Sequence, residues 1–174
     1  SLGHEVEEII DPAKNLSDFR IVEIRDVNPH PEADRLKVCS VDDNGTLLQI
    51  VCGAPNARVG LKTVLAPVGS YVPGIDIVIK KSNIRGQESN GMLCAFSELE
   101  LDGNSDGIIE LAEHAETGTS YIEHADLNDP IIEIAITPNR GDCLGVRGIA
   151  RDLFAAGFGK LKSLDASECL GVFD

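Results

Sequence analysis

The residues able to grip a polyanion fall in two short groups. Arg35 and Lys37 stand two apart in "RLKVCSV", and a strand's period of two would put both on one face. Lys80, Lys81 and Arg85 stand before and within the polar stretch "KKSNIRGQESNGMLC", residues 80–94. Guanidinium and ammonium groups bind phosphate oxygens through charge-assisted hydrogen bonds. Should the two groups meet across the fold, they would make a modest basic groove. Phe19, Tyr71 and Phe96 are the aromatics of this region, a thin set for stacking unpaired bases. Recognition of a folded RNA by backbone and shape would not need more.

Other chemistry finds less support. The chain has no G-x-S-x-G and no G-x-x-x-x-G-K-[ST], and "GAPNARVG" lacks the Lys-Ser of a phosphate cradle. "EHAE" (113–116) and "EHAD" (123–126) echo each other, but they read as solvated acidic turns, not as metal ligands. His30, between two prolines in "NPHPEAD", reads as part of a rigid strand connection. The cysteines at 39, 52, 94, 143 and 169 form no C-x-x-C and are odd in number, so buried thiols of a reduced compartment are expected. No catalytic residue and no metal site are expected.

The net charge of −14 argues against nucleic acid until it is mapped. Residues 17–99 carry ten acids and nine bases, while residues 100–133 carry ten acids and no base. The acidity is therefore concentrated in one segment, and the part with the basic groups is nearly neutral. Such a part can bind a polyanion through clustered cations, without a large non-specific contribution. No stretch approaches eighteen uncharged apolar residues, and "SLGHEVEEII" has neither the basic start nor the apolar core of a signal peptide.

These residues need elements to hold them. "FRIVEIRDV", "RLKVCSV", "LLQIVC", "KTVLAPV" and "MLCAF" read as strands, with "IDIVIKK" alternating between the last two. Five or so strands in so short a span, parted by turns such as "DDNG", predict a mainly β fold and a small barrel over 17–101. The first strands are apolar on both faces in places, as long coiled strands of a small barrel would be. "SELEL" (97–101) should open a helical turn with a capping box between Ser97 and Glu100. Residues 102–130 read as an acidic connector. A strand over 131–137 and a helix over 142–157 follow, a partial α+β flanking domain. Asp142 is the expected N-cap, Val146, Ile149, Ala150, Leu153 and Phe154 the apolar stripe, and Gly157 or Gly159 the stop.

"HPEADRLKVCSVD", "QIVCGAPNARVG" and "RGQESNGMLC", in this order, resemble the tRNA-binding OB-fold module. "SNGM" (89–92) matches that family's S-x-G-M, with Asn90 where Glu is common. The flanks "GHEVEEI", "DGIIELAEHAETGT" and "EIAITPNRGDCLGVRGIARDLFAAG" resemble the surroundings of the module in bacterial phenylalanyl-tRNA synthetase β subunits. The resemblance implies a five-stranded OB-fold barrel in an accessory region of a cytoplasmic (αβ)₂ ligase. Catalysis, ATP and magnesium would belong to the holoenzyme, with the α subunit joined through later parts of the chain. It implies that residues 1–16 end, and residues 131–174 continue, one support domain. Arg35, Lys37, Lys80, Lys81 and Arg85 would hold tRNA backbone, with Ser89 donating and Met92 placing the loop. The competing reading of the same residues is a structural arm with no significant contact to tRNA.

Overall fold

The computed structural model describes residues 3–163, and they divide into two compact units. One runs from Asp11 to Pro130, and the other joins the residues up to Ile10 with those from Ile131 onward. In chain order the elements are β1 (Glu5–Ile10), α1 (Pro12–Leu16), β2 (Arg20–His30), β3 (Ala33–Asp43), β4 (Thr46–Cys52) and β5 (Lys62–Pro67). They continue with β6 (Tyr71–Val72), β7 (Ile77–Val78), β8 (Ser82–Ile84), β9 (Gln87–Ser89), β10 (Gly91–Leu93), α2 (Tyr121–His124), β11 (Ile131–Ala135) and α3 (Val146–Ala155).

The larger unit is built on an antiparallel sheet in the order β10-β5-β2-β3-β4. β2 and β3 are long, eleven residues each, and both bend at register shifts, at Ile24/Asp26 and at Pro29/His30. Such bulges sharpen the twist, which lets one sheet wrap around its own core. That core holds Val22, Ile24, Cys39, Val41, Ile50, Leu65 and Leu93. A second cluster lies on the other side of β5, where Val64 and Ala66 meet Leu16, Phe19, Val72, Leu99, Ile109 and Tyr121. β5 is thus apolar on both faces because it is covered on both faces.

The ladder does not close into the expected barrel. β10 has three residues, and the edge of β4 is met instead by the residues just before it. The Val51 N–H donates to Ser89 Oγ at 3.1 Å, and the Asn90 N–H to the Gln49 carbonyl at 2.9 Å. Gly91 makes this approach possible. Its φ is +149°, and a Cβ there would stand 2.8 Å from Leu65 Cδ1 and 3.0 Å from the Ala66 carbonyl oxygen.

Several expectations change. "IDIVIKK" yields only the two-residue β7 after a 3-10 turn over Pro73–Ile75, and the stretch read as a polar loop is itself the hairpin β8–β9. Ser97 caps nothing; Glu100 sits at φ +55°, outside helical backbone, and Glu98 accepts from the Ala95 N–H instead. Residues 102–130 lie in the larger unit, where Ile108, Ile109, Ala115, Tyr121 and Ile122 are buried. So does α1, whose Leu16 joins the second cluster.

In the smaller unit β1 and β11 form an antiparallel pair, with β11 shorter than the expected 131–137. α3 is preceded by 3-10 turns over Pro138–Cys143, which hold Asp142 outside the helix, so Gly145 takes the N-cap position. Asp142 pairs with Arg140 and Arg151. Gly157, at φ +85°, ends the helix as expected, its N–H reaching the Phe154 carbonyl. Among the apolar stripe, Val146, Leu153 and Phe154 are exposed. Cys39, Cys52, Cys94 and Cys143 are free and buried, and Cys169 lies outside the described residues. No helix among the described residues is long and apolar enough to cross a membrane.

Candidate nucleic-acid interface

Of the two basic groups, Arg85 alone is seen to reach the other hairpin, at a tip made of two hairpin turns. One joins β2 to β3 and the other joins β8 to β9. The Arg85 Nη1 donates to the Glu32 carbonyl at 3.1 Å, and the His30 Nε2 lies 2.9 Å from the Ile84 carbonyl. Arg35 follows the first turn on β3 and is exposed. The pairing slips here from Pro29↔Lys37 to His30↔Ala33, and Lys37 is half-buried where Arg35 is exposed.

The β8–β9 turn is the most informative piece. Arg85 and Gly86 have φ of +47° and +85°, and the Asn83 Oδ1 accepts from the Gly86 N–H at 2.8 Å. The β3–β4 turn is nearly identical. There Asn44 and Gly45 have φ of +50° and +89°, and the Asp42 Oδ1 accepts from the Gly45 N–H at 2.7 Å. Asn-Gly is the favoured pair for such a two-residue hairpin turn, because both central residues need positive φ. Arg85 occupies the same conformation with a branched-off-backbone side chain that disfavours it by about 1 kcal/mol.

The other expected contacts have other employment. Ser89 is 2% exposed, accepts from Val51 and donates to the Gly91 carbonyl at 3.1 Å. It is a closure residue, not an exposed donor, because the short β10 leaves the edge of β4 to be satisfied by a side chain. Lys37 Nζ donates to the Pro55 and Ala57 carbonyls, each at 2.9 Å, and so fastens the turn after β4. Lys81 pairs with Glu88 at 2.8 Å, and this bond together with the Asn90 amide holds the Glu88 carboxyl below the usual range. Met92 packs against the second cluster and lines a groove of about 1000 Å³. Lys80 is exposed at that groove, whose other charged lining residues are Asp76, Glu98 and Asp106. The groove lining is therefore acidic on balance. Elsewhere on this unit Arg20 pairs with Asp43, Arg25 with Glu23 and Asp42, and Arg58 with Glu110.

Sequence reasoning missed the β8–β9 hairpin and the role of His30. "NIRG" carried the signal for the first, since Asn and Gly three apart bracket a tight turn. It also missed a cluster in the smaller unit, where ligand atoms of His4, Cys143 and Asp152 lie within 4.8 Å of one another. The Arg140 Nη2 donates to both the Cys143 Sγ, at 2.8 Å, and the Asp152 Oδ2. Burial and the neighbouring Asp142 push the Cys143 thiol up. A guanidinium already seated on a protonated thiol and a carboxylate makes this an ion-pair knot and a poor metal cradle. His114 and His124, from the two echoing segments, meet as rings 6.4 Å apart.

The larger unit is thus a sheet wrapped on its own core, with two hairpin turns meeting at a tip that carries Arg35, Lys81 and Arg85 beside Glu32, Asp34 and Glu88. The chain belongs to the family described as "Putative tRNA binding domain", which matches residues 19–120. Two relatives called phenylalanine–tRNA ligase beta subunit are similar over most of the chain. That of Rickettsia prowazekii is 52% identical over 99% of this chain and 21% of its own length. That of Gluconobacter oxydans is 55% identical over 92% of this chain and 20% of its own. The chain thus spans about a fifth of the length of these relatives. A solved structure, a MetRS related protein from Pyrococcus horikoshii, matches loosely, at 19% identity and TM-score 0.42 over 57% of this chain and 84% of that one.

Proposed function

We propose that the chain is a non-catalytic part of a phenylalanine–tRNA ligase β subunit, and that its larger unit is an OB-type module touching tRNA through the His30–Arg85 tip. The relatives' names and the family match support the first half. Arg85 carries the second. A left-handed backbone position that the neighbouring hairpin gives to Asn44 is here given to a guanidinium at the surface. The turn itself does not need arginine there, and beyond its one bond to the Glu32 carbonyl the exposed guanidinium has donors left for an outside group. Arg35, five residues from His30, and Lys80, five from Arg85, are exposed and in no ion pair among the described residues, and they complete the contact. Because Lys37 and Lys81 are engaged within the chain, the contact is slight. Charging of tRNA with phenylalanine, the use of ATP and magnesium, the pairing with an α subunit and the cytoplasmic setting belong to the whole ligase under this reading. The residues up to Ile10 and from Ile131 onward would be parts of its support domain.

The structural-arm reading draws on the paired cations, and one substitution separates the two. Arg85→Asn reproduces the Asn44–Gly45 turn and removes the guanidinium. Stability in denaturant should hold or rise by about 0.5–1 kcal/mol, while affinity for a tRNA transcript falls and its salt slope drops by about one contact. Unchanged binding in a mobility-shift titration at low and moderate salt sinks the tRNA reading in favour of the arm.

A further inference from the structure

We propose that His30 is the positioning residue of the tip: in its neutral form it latches the β8–β9 hairpin to the β2–β3 turn, and tRNA contact depends on that latch. The proposal rests on the reading of function above. His30 is 5% exposed although it sits between two prolines at the end of β2. Both ring nitrogens are used. The Glu32 N–H donates to Nδ1 at 3.1 Å, so Nδ1 carries no proton, and the ring proton is on Nε2, which donates to the Ile84 carbonyl at 2.9 Å. One bond shapes the first turn and the other crosses to the second. Ile84 precedes Arg85, so the crossing bond fixes the backbone that aims the guanidinium. The only other side-chain bond between the two turns among the described residues is that of Arg85 to the Glu32 carbonyl, which an incoming phosphate would compete for.

The neutral tautomer is required by this geometry. A proton on Nδ1 would set N–H against N–H at the Glu32 amide. The charged groups of the two hairpins are Glu32, Asp34 and Arg35 on the ring's own and Lys81, Arg85 and Glu88 on or beside the facing one. Among the described residues, no carboxylate is hydrogen-bonded to the ring.

Three variants of this chain test it. His30→Gln keeps an N–H for Ile84 and lacks the acceptor at Nδ1. His30→Asn keeps an acceptor for Glu32 and lacks the crossing donor. His30→Ala lacks both. tRNA affinity should fall about threefold to tenfold in the Asn and Ala variants and less than about twofold in the Gln variant. Amide exchange at Arg85, Gly86 and Gln87 should quicken in the same two. Wild-type affinity in His30→Asn, or equal losses in Gln and Asn, would each overturn the proposal. Should His30→Ala not fold, the Gln and Asn pair still decides. If the wild type holds no tRNA, the functional reading falls, and the exchange at residues 85–87 alone decides the latch.

Discussion

Phe19, Ile24 and Leu65 of the larger unit are fully buried, while Val6, Ile9, Ile132 and Val146 of the smaller one are each more than half exposed. The difference is one of means. The larger unit hides apolar side chains on both sides of β5, and its surface ion pairs add little to that. The smaller unit buries Cys143 and Gly148 and carries the Arg140–Asp152–Arg151–Asp142 network. Where burial holds the fold, charged side chains are released for binding. Where burial is scarce, they hold the fold.

The largest effect should come from the buried side. Leu65→Ala removes a side chain with no exposed surface and should destabilise the larger unit by about 2–5 kcal/mol. Val146→Ala changes a side chain that is 88% exposed and should stay within about 0.5 kcal/mol. Denaturant unfolding, followed by resonances of each unit, reads both. A loss at Val146 as large as that at Leu65 would mean that the exposed face of α3 is packed in solution, and the comparison would fail.

Acid should act the other way round. Arg140 and then Arg151 hold the Asp142 carboxyl well below its usual range, and Arg140 does the same for Asp152. A carboxyl lowered in the folded state contributes stability at neutral pH that fades as pH falls from about 4 toward the lowered values. The smaller unit should therefore loosen first on acidification, and Asp152→Asn should loosen it at neutral pH. The larger unit also has a lowered carboxyl, Glu110, drawn to about 2 by Arg58 and then Asn56. Its apolar clusters do not titrate, so its amide protection should outlast that of β1 and β11. Simultaneous loss of both units on acidification would break the contrast.

How far the sequence could be read follows the same division. Strands that form the wrapped sheet were legible from β-branched runs and turn residues, because their burial writes a pattern into neighbouring positions. Failed alternation was visible in the first strands; that β5 is apolar on both sides was not, nor was its cause, a second cluster built from residues as distant as Leu16 and Tyr121. The basic residues were legible as candidates but not their availability. Nothing local in "RLKVC" shows that Lys37 reaches the Pro55 and Ala57 carbonyls, and nothing in "SNGM" shows Ser89 completing the edge of β4. Asp142 looked like a helix cap because Asp before an apolar stripe often is one. The arginines at 140 and 151, two and nine residues away, outcompeted that role. His30 was hidden for the same reason, since its partner carbonyl is 54 positions away.

The smallest effect asked for is the sharpest about what charges do in the larger unit. Glu88 is exposed, pairs with Lys81 and lies across β8–β9 from Asn83, two residues from Arg85. If that pair held the fold, as the pairs of the smaller unit do, Glu88→Gln would destabilise. An exposed pair beside a complete apolar core should instead leave stability within about 0.5 kcal/mol. The substitution also removes one negative charge from the tip and frees the Lys81 ammonium. tRNA affinity should then rise about twofold to threefold at low salt, with the salt slope steeper by about one contact. Stability measured by denaturant and affinity measured by titration would move independently in this variant. A fall in stability with no gain in affinity would place Lys81–Glu88 with the structural pairs, and the tip would then rest on Arg35, Lys80 and Arg85 alone.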